Sequence, residues 1–83
     1  MSGKFFFVYV LECADGTFYT GYTGDLEVRI ARHNEGGGGR YTRARTPVKL
    51  VYSERFESRK SAMGREREIK KLSRLDKERL VGR

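Results

Sequence analysis

Residues 17–24 read TFYTGYTG. The aromatic and β-branched residues predict a strand over Thr17 to Tyr22, yet glycines occupy positions 21 and 24. Glycine weakens a strand unless some group must come close to its backbone. Residues 17–24 therefore raise the question of what lies against Gly21.

Upstream, Phe5 to Leu11 is apolar at both parities, the pattern of a strand covered on both faces, and is expected to be the central strand. Ala14-Asp15-Gly16 supplies turn chemistry between the two strands and predicts a β-hairpin. Loop length sets its phase, because one extra residue swaps every side chain to the other face. With Asp15-Gly16 as a two-residue turn, Tyr9 would face Tyr22, and Tyr9 and Tyr19 would lie on opposite faces. With a three-residue loop and a left-handed Gly16, Leu11 pairs with Tyr19 and Tyr9 with Gly21. The three-residue loop is the expected one, and it puts both phenols on one face beside a glycine.

Downstream, Asp25 is a good N-cap for a helix from Leu26 to Asn34, with Leu26 and Ile30 inward and Asn34 and Gly36 suited to end it. Arg29 and His33 flank the inner stripe, and Arg32 lies farther out. EGGGGRYTRARTP follows, with four successive glycines and Pro47, and reads as a mobile basic loop. The glycine run lacks the Lys-Ser/Thr of a phosphate-binding P-loop. Val48, Leu50, Tyr52 and Phe56 alternate with Lys49, Ser53 and Arg55 in a third strand with one wetter face, the pattern broken only by Glu54 and Val51. Ser58 caps a second long helix reaching about Leu72, with Ala62, Glu66 and Ile69 inward, and Ser73 caps a short last helix ending near Gly82.

The chain has 83 residues, enough for a single domain over 1–83, with 18 Lys and Arg against 11 Asp and Glu and a net charge of +7. That excess favours a polyanionic partner. One Cys and one His exclude an internal disulfide and a Cys/His zinc cluster, and a reducing cytoplasm is expected. The N-terminal MSGKFFFVYVLE is too short and lacks the small-residue site of a secretory leader, and no stretch reaches membrane-spanning length.

Glu66 is the most informative single residue, since an ionised carboxylate rarely faces a core without a partner. Spacing alone leaves two readings open: an ion pair with Arg65, Lys70 or a strand arginine, or a functional carboxylate. Mg²⁺ needs only one or two protein carboxylates, with water and phosphate completing its shell, so one inward Glu suffices. Tyr9 and Tyr19 alone would be core tyrosines. A phenol can also act as a general base where positive charge stabilises phenolate, and Arg29 and His33 are placed to supply it. Arg40, Tyr41, Arg43 and Arg45 combine charge with an aromatic, which suits a phosphate backbone and an unstacked base.

Phe7-Val8-Tyr9 and Tyr19-Thr20-Gly21 occur with Asp15-Gly16, Arg29, His33-Asn34, Tyr41-Thr42-Arg43 and Ala62-x-x-x-Glu66-x-x-Ile69-Lys70. In this order they resemble the GIY-YIG nuclease superfamily across essentially the entire chain, most closely its small, single-domain bacterial branch. Phe7 replaces the glycine of the first half-signature, Thr20 the aliphatic of the second, and Leu75-Asp76-Lys77-Glu78 lacks an Asn that some relatives carry there. The resemblance implies an α+β fold, a three-stranded antiparallel sheet flanked by helices. It implies DNA endonuclease activity, with roles in repair or recombination, and one divalent ion, Mg²⁺ or Mn²⁺, on Glu66. It further implies Tyr9 and Tyr19 as site residues, Arg29 on the scissile phosphate and His33 in a supporting position, with Gly21 and Gly24 leaving room for the phosphate backbone. Water would attack phosphorus with Tyr9, the preferred base, or Tyr19. A monomer is expected, with target choice made by the domain or a protein partner. The alternative is a non-catalytic DNA- or RNA-binding module on the same scaffold.

Overall fold

The apolar N-terminal run forms β1 (Phe6–Glu12), and residues 17–24 supply β2 (Phe18–Thr23). A computed structural model describes residues 5–83; residues 1–4, the head of the segment read as no leader, lie outside the described residues. Next come α1 (Leu26–Asn34), α2 (Arg40–Arg43), β3 (Lys49–Phe56), α3 (Arg59–Lys70) and α4 (Arg74–Leu80). The three strands make one antiparallel sheet in the order β2-β1-β3, with β1 central as its two-sided apolarity requires.

The hairpin adopts the three-residue phase. The Cys13 amide donates to Thr17 O at 2.8 Å, the Gly16 amide donates back to Cys13 O at 2.9 Å, and Gly16 takes φ +85°. Leu11 consequently faces Tyr19 and Tyr9 faces Gly21.

Each face of the sheet has its own apolar cluster. Val8 and Val10 meet Ala62 and Ile69 of α3, with Phe56, Leu72, Leu80 and Val81 around them. On the other face Tyr9, Leu11, Cys13 and Val48 pack with Tyr19 and with Leu26 and Ile30 of α1. The helices start where their caps predict: Asp25 Oδ1 accepts from the Val28 amide, Ser58 Oγ from Ser61 and Ser73 Oγ from Asp76.

Two expectations need correction. The alternation in β3 does not describe one face, because the register slips between Val10 and Leu11: Val10 faces Tyr52 whereas Leu11 faces Leu50. The extra residue is Val51, so both Val51 and Tyr52 pack toward α3 while Val48 joins the α1 cluster. The break in pattern was a bulge. Nor is the glycine-rich segment an unstructured loop. Gly36, at φ +86°, donates to His33 O and Gly37 donates to Arg32 O, which together satisfy the last carbonyls of α1. Gly39, at φ +152°, precedes α2, a single turn built from the residues read as loop.

Asn34 ties the end of α1 to the start of β3: its Oδ1 accepts from the Val48 amide at 2.7 Å and its Nδ2 donates to Val48 O at 3.1 Å. Val48 is buried, so water cannot replace both bonds freely. Asn34→Ala is expected to lower unfolding free energy by about 1–3 kcal/mol in urea denaturation. A change within error would show that the segment from α1 to β3 is held by other contacts.

Candidate active site

Tyr9, on the central strand, points its phenol across β2. A Cβ at Gly21 would lie 2.6 Å from the Tyr9 hydroxyl oxygen and 2.8 Å from its Cζ, distances a side chain never tolerates. The glycine inside the second strand is thus required by Tyr9. Gly24 has no such neighbour.

Having crossed Gly21, the Tyr9 hydroxyl lies 3.0 Å from His33 Nε2, and His33 Nδ1 lies 2.7 Å from Thr42 Oγ1. Thr42 in turn donates to Gly39 O, so its oxygen accepts from His33 Nδ1–H. That assignment leaves Nε2 as an acceptor, and Tyr9 donates to it. His33 and Thr42 are both fully buried, and Gly38 lies so close to the imidazole that any Cβ there would overlap it. The glycine run forms the back wall of this relay. Tyr19 completes the aromatic cluster, with its ring centroid 6.4 Å from Tyr9 and 5.1 Å, edge-on, from His33.

In front of the relay is a pocket of about 390 Å³ lined by Phe6, Tyr9, Tyr19, Gly21, Tyr22, Thr23, Gly24, Arg29, Arg59 and Glu66. Tyr22 and Phe6 belong to the α3 cluster and Tyr9 and Tyr19 to the α1 cluster, so the pocket takes residues from both faces of the sheet at its β2 edge. From α1 comes Arg29; from α3 come Arg59 and Glu66. The Glu66 side chain is 18% exposed and its Oε2 lies 3.2 Å from Lys70 Nζ. It therefore satisfies both sequence readings, pocket carboxylate and ion-pair partner.

Burial pushes the Tyr9 phenol well above the usual tyrosine value; the neighbouring Tyr19 and Glu66 add to this, and Arg29 opposes it. Burial also lowers His33, with Arg29 acting in the same direction, so His33 is neutral at pH 7. This corrects the expectation that His33 lends positive charge to a phenolate. It lends a lone pair instead.

The basic residues divide. Arg32, Arg40 and Arg43 are exposed on α1 and α2. Arg45 is engaged: it pairs with Asp15 at 3.0 Å, donates to Tyr41 O at 2.7 Å, and covers the Tyr41 ring at 4.0 Å. Tyr41 stacks on Tyr19 at 6.0 Å between centroids and lines a second groove. Arg59, a pocket residue that the sequence reading missed, did leave a signal: a cation in the first turn of a helix opposes the macrodipole. Thr42 stood in the sequence only as the middle of Tyr41-Thr42-Arg43, and Gly38 as one of four successive glycines.

Comparisons with known proteins identify the family. A family model, the GIY-YIG catalytic domain, matches residues 5–79. The chain belongs to the GIY-YIG family. It is 63% identical over 75 residues to a UPF0213 protein of Natronomonas pharaonis, covering 90% of this chain and 88% of that one. It is 52% identical to a UPF0213 protein of Bacillus licheniformis, covering 90% and 77%. Solution NMR structures of a UPF0213 protein from Bacillus halodurans and of a protein from E. faecalis are similar, with TM-scores of 0.61 and 0.63. Their identities are 51% and 44%, over 93% and 95% of this chain and 82% and 85% of theirs. The relatives are archaeal as well as bacterial, which widens the bacterial branch the sequence suggested.

A single carboxylate at a water-accessible pocket fits a hydrated divalent ion, and among the described residues no group of three or more His, Cys, Asp or Glu offers an all-protein cage. Glu66 is the residue that would hold it.

Gly21→Ala should drive Tyr9 off His33 and lower the melting temperature, whereas Gly24→Ala, with open space, should leave it within a degree or so. Equal melting temperatures would refute the close approach. Because His33 sits below its usual 6.5 when folded, the unfolded chain binds the proton more readily. Stability is therefore expected to be full above about pH 6.5 and to fall as the pH drops from there toward the folded value. His33→Gln should flatten that segment of a stability–pH profile, and a parallel profile would show that other groups carry it.

Proposed function

We propose that the chain is a metal-dependent endonuclease that hydrolyses phosphodiester bonds in DNA. The observation that supports this best is the donor–acceptor relay from Tyr9 through His33 to Thr42, ending at a pocket that also holds Arg29 and Glu66. A core tyrosine needs one hydrogen-bond partner; it does not need a buried histidine held in one tautomer behind it and a pocket with an arginine and a carboxylate in front.

In this reading, water occupies the pocket beside the Tyr9 hydroxyl. As its oxygen forms a bond to phosphorus and the P–O bond to the leaving sugar oxygen breaks, its proton passes to Tyr9 Oη while the Tyr9 proton passes to His33 Nε2, and the leaving oxygen takes a proton from solvent. Tyr9 thereby acts as a base without being a phenolate in the resting protein, which its burial would oppose. His33 Nδ1–H, fixed on Thr42, keeps the imidazole oriented throughout. Arg29 offsets the charge that grows on the phosphoryl oxygens, and Arg59, across the pocket, holds the strand. A divalent ion on Glu66 would stabilise the leaving oxygen as a Lewis acid. Neutralising Glu66 also removes one of the influences that raise Tyr9. DNA fits the net charge of +7, and Arg40 and Arg43 extend the basic surface beyond the pocket.

Glu66→Gln should reduce cleavage of plasmid or branched DNA in Mg²⁺ by about 10² to 10³, the usual loss when one charge stabiliser is removed. Binding should persist. Glu68→Gln, on the same helix but 67% exposed and paired with Arg65, is the matched control and should cut as the parent does. If both variants match the parent, Glu66 has no role in the reaction. If the folded parent binds DNA but cuts none with Mg²⁺ or Mn²⁺, the non-catalytic binding module is the correct reading.

A further inference from the structure

Lys70 belongs to two places. Its Nζ lies 3.2 Å from Glu66 Oε2, and Glu66 lines the pocket described above. Lys70 also lines a separate groove of about 230 Å³, together with Phe18, Tyr19, Thr20, Tyr41 and Lys77. Tyr19 is common to both cavities, so the groove continues the pocket along β2.

The groove carries two ammonium groups and no carboxylate. Among the described residues Lys77 makes no ion pair, although its helix offers Asp76 and Glu78, which pair with Arg79 and Arg74 instead. Lys77, without an ion-pair partner, and Lys70, whose one partner Glu66 lies outside the groove, suit an anion there, and the aromatic lining suits the sugar and base next to a phosphate. Lys70 is half exposed, at 52%, and ends α3, so its flexible stem can swing without disturbing the buried Ala62 and Ile69.

Resting on the nuclease reading, we infer that this groove is a second phosphate subsite for the same nucleic-acid strand, and that Lys70 moves between it and Glu66. In the free protein the ammonium occupies the carboxylate and competes with a divalent ion for it. A phosphodiester on Lys77 draws Lys70 into the groove and frees Glu66 beside the scissile bond. Metal and nucleic acid then favour each other's binding, since coupling between two sites is reciprocal.

The test uses the full chain and two ligands measured apart: Mn²⁺ titrated into metal-free protein, and a duplex oligonucleotide with a phosphorothioate backbone titrated in chelator. Lys70→Met keeps the stem and removes the charge. It should tighten Mn²⁺ about two- to five-fold, the scale of an exposed ion pair, and weaken the oligonucleotide with a salt slope lower by about 0.9. Lys77→Ala should weaken the oligonucleotide with the same change in slope and leave Mn²⁺ affinity unchanged. Circular dichroism melts establish that both variants fold. Mn²⁺ binding that is unchanged or weaker in Lys70→Met overturns the competition at Glu66, and oligonucleotide binding unaffected by either variant overturns the subsite; in both cases a parent that binds and cuts DNA leaves the nuclease reading standing. A parent that binds no oligonucleotide overturns that reading and this one together.

Discussion

Everything distinctive in this molecule depends on one missing side chain. Because residue 21 ends at its Cα, the phenol of Tyr9 passes over β2 and reaches an imidazole on α1. A central strand buried on both faces ordinarily contributes only bulk to a core. Here it delivers a hydroxyl to the sheet edge, and the hydroxyl is held by a histidine that is itself pinned by Thr42 and backed by Gly38. Close packing ties the members together: a Cβ at Gly21 would overlap the Tyr9 phenol, and one at Gly38 the His33 ring.

The electrostatic character of the site follows from that burial. Taking Tyr9 and His33 out of water disfavours the charged form of each, phenolate for one and imidazolium for the other, so the pair rests neutral with a single proton between them. Charge lies in the pocket, where Arg29, Arg59 and Glu66 line the wall and keep some contact with solvent. A neutral, preorganised interior thus lies behind charged groups that line the pocket.

Much of this was legible in the sequence because it rests on local rules. Turn chemistry at Ala14-Asp15-Gly16 fixed the pairing of Tyr9 with Gly21, caps at Asp25, Ser58 and Ser73 marked three helix starts, and the 3.6-residue period turned Glu66 inward. What escaped depends on contacts distant in the chain. A run of glycines looks featureless, yet Gly36 closes a helix while Gly38 fits beneath an imidazole five residues earlier. Arg45 counted as one more cation until its partners, Asp15 and Tyr41, were in view. The alternation of β3 breaks at Val51, but that the break is a bulge follows only from pairing with β1, about forty residues away.

The three-residue hairpin loop has one further meaning. β1 is apolar on both faces, and β2 carries aromatic and small residues on both, so hydrophobicity does little to choose between registers. The loop makes that choice. Surface loops usually drift in length with impunity during evolution, but gain or loss of one residue between Cys13 and Thr17 would yield a hairpin with a comparable core in which Tyr9 no longer meets Gly21. The fold would survive the insertion and the relay would not. Loop length at this exposed turn sets the relay as firmly as the tyrosines themselves.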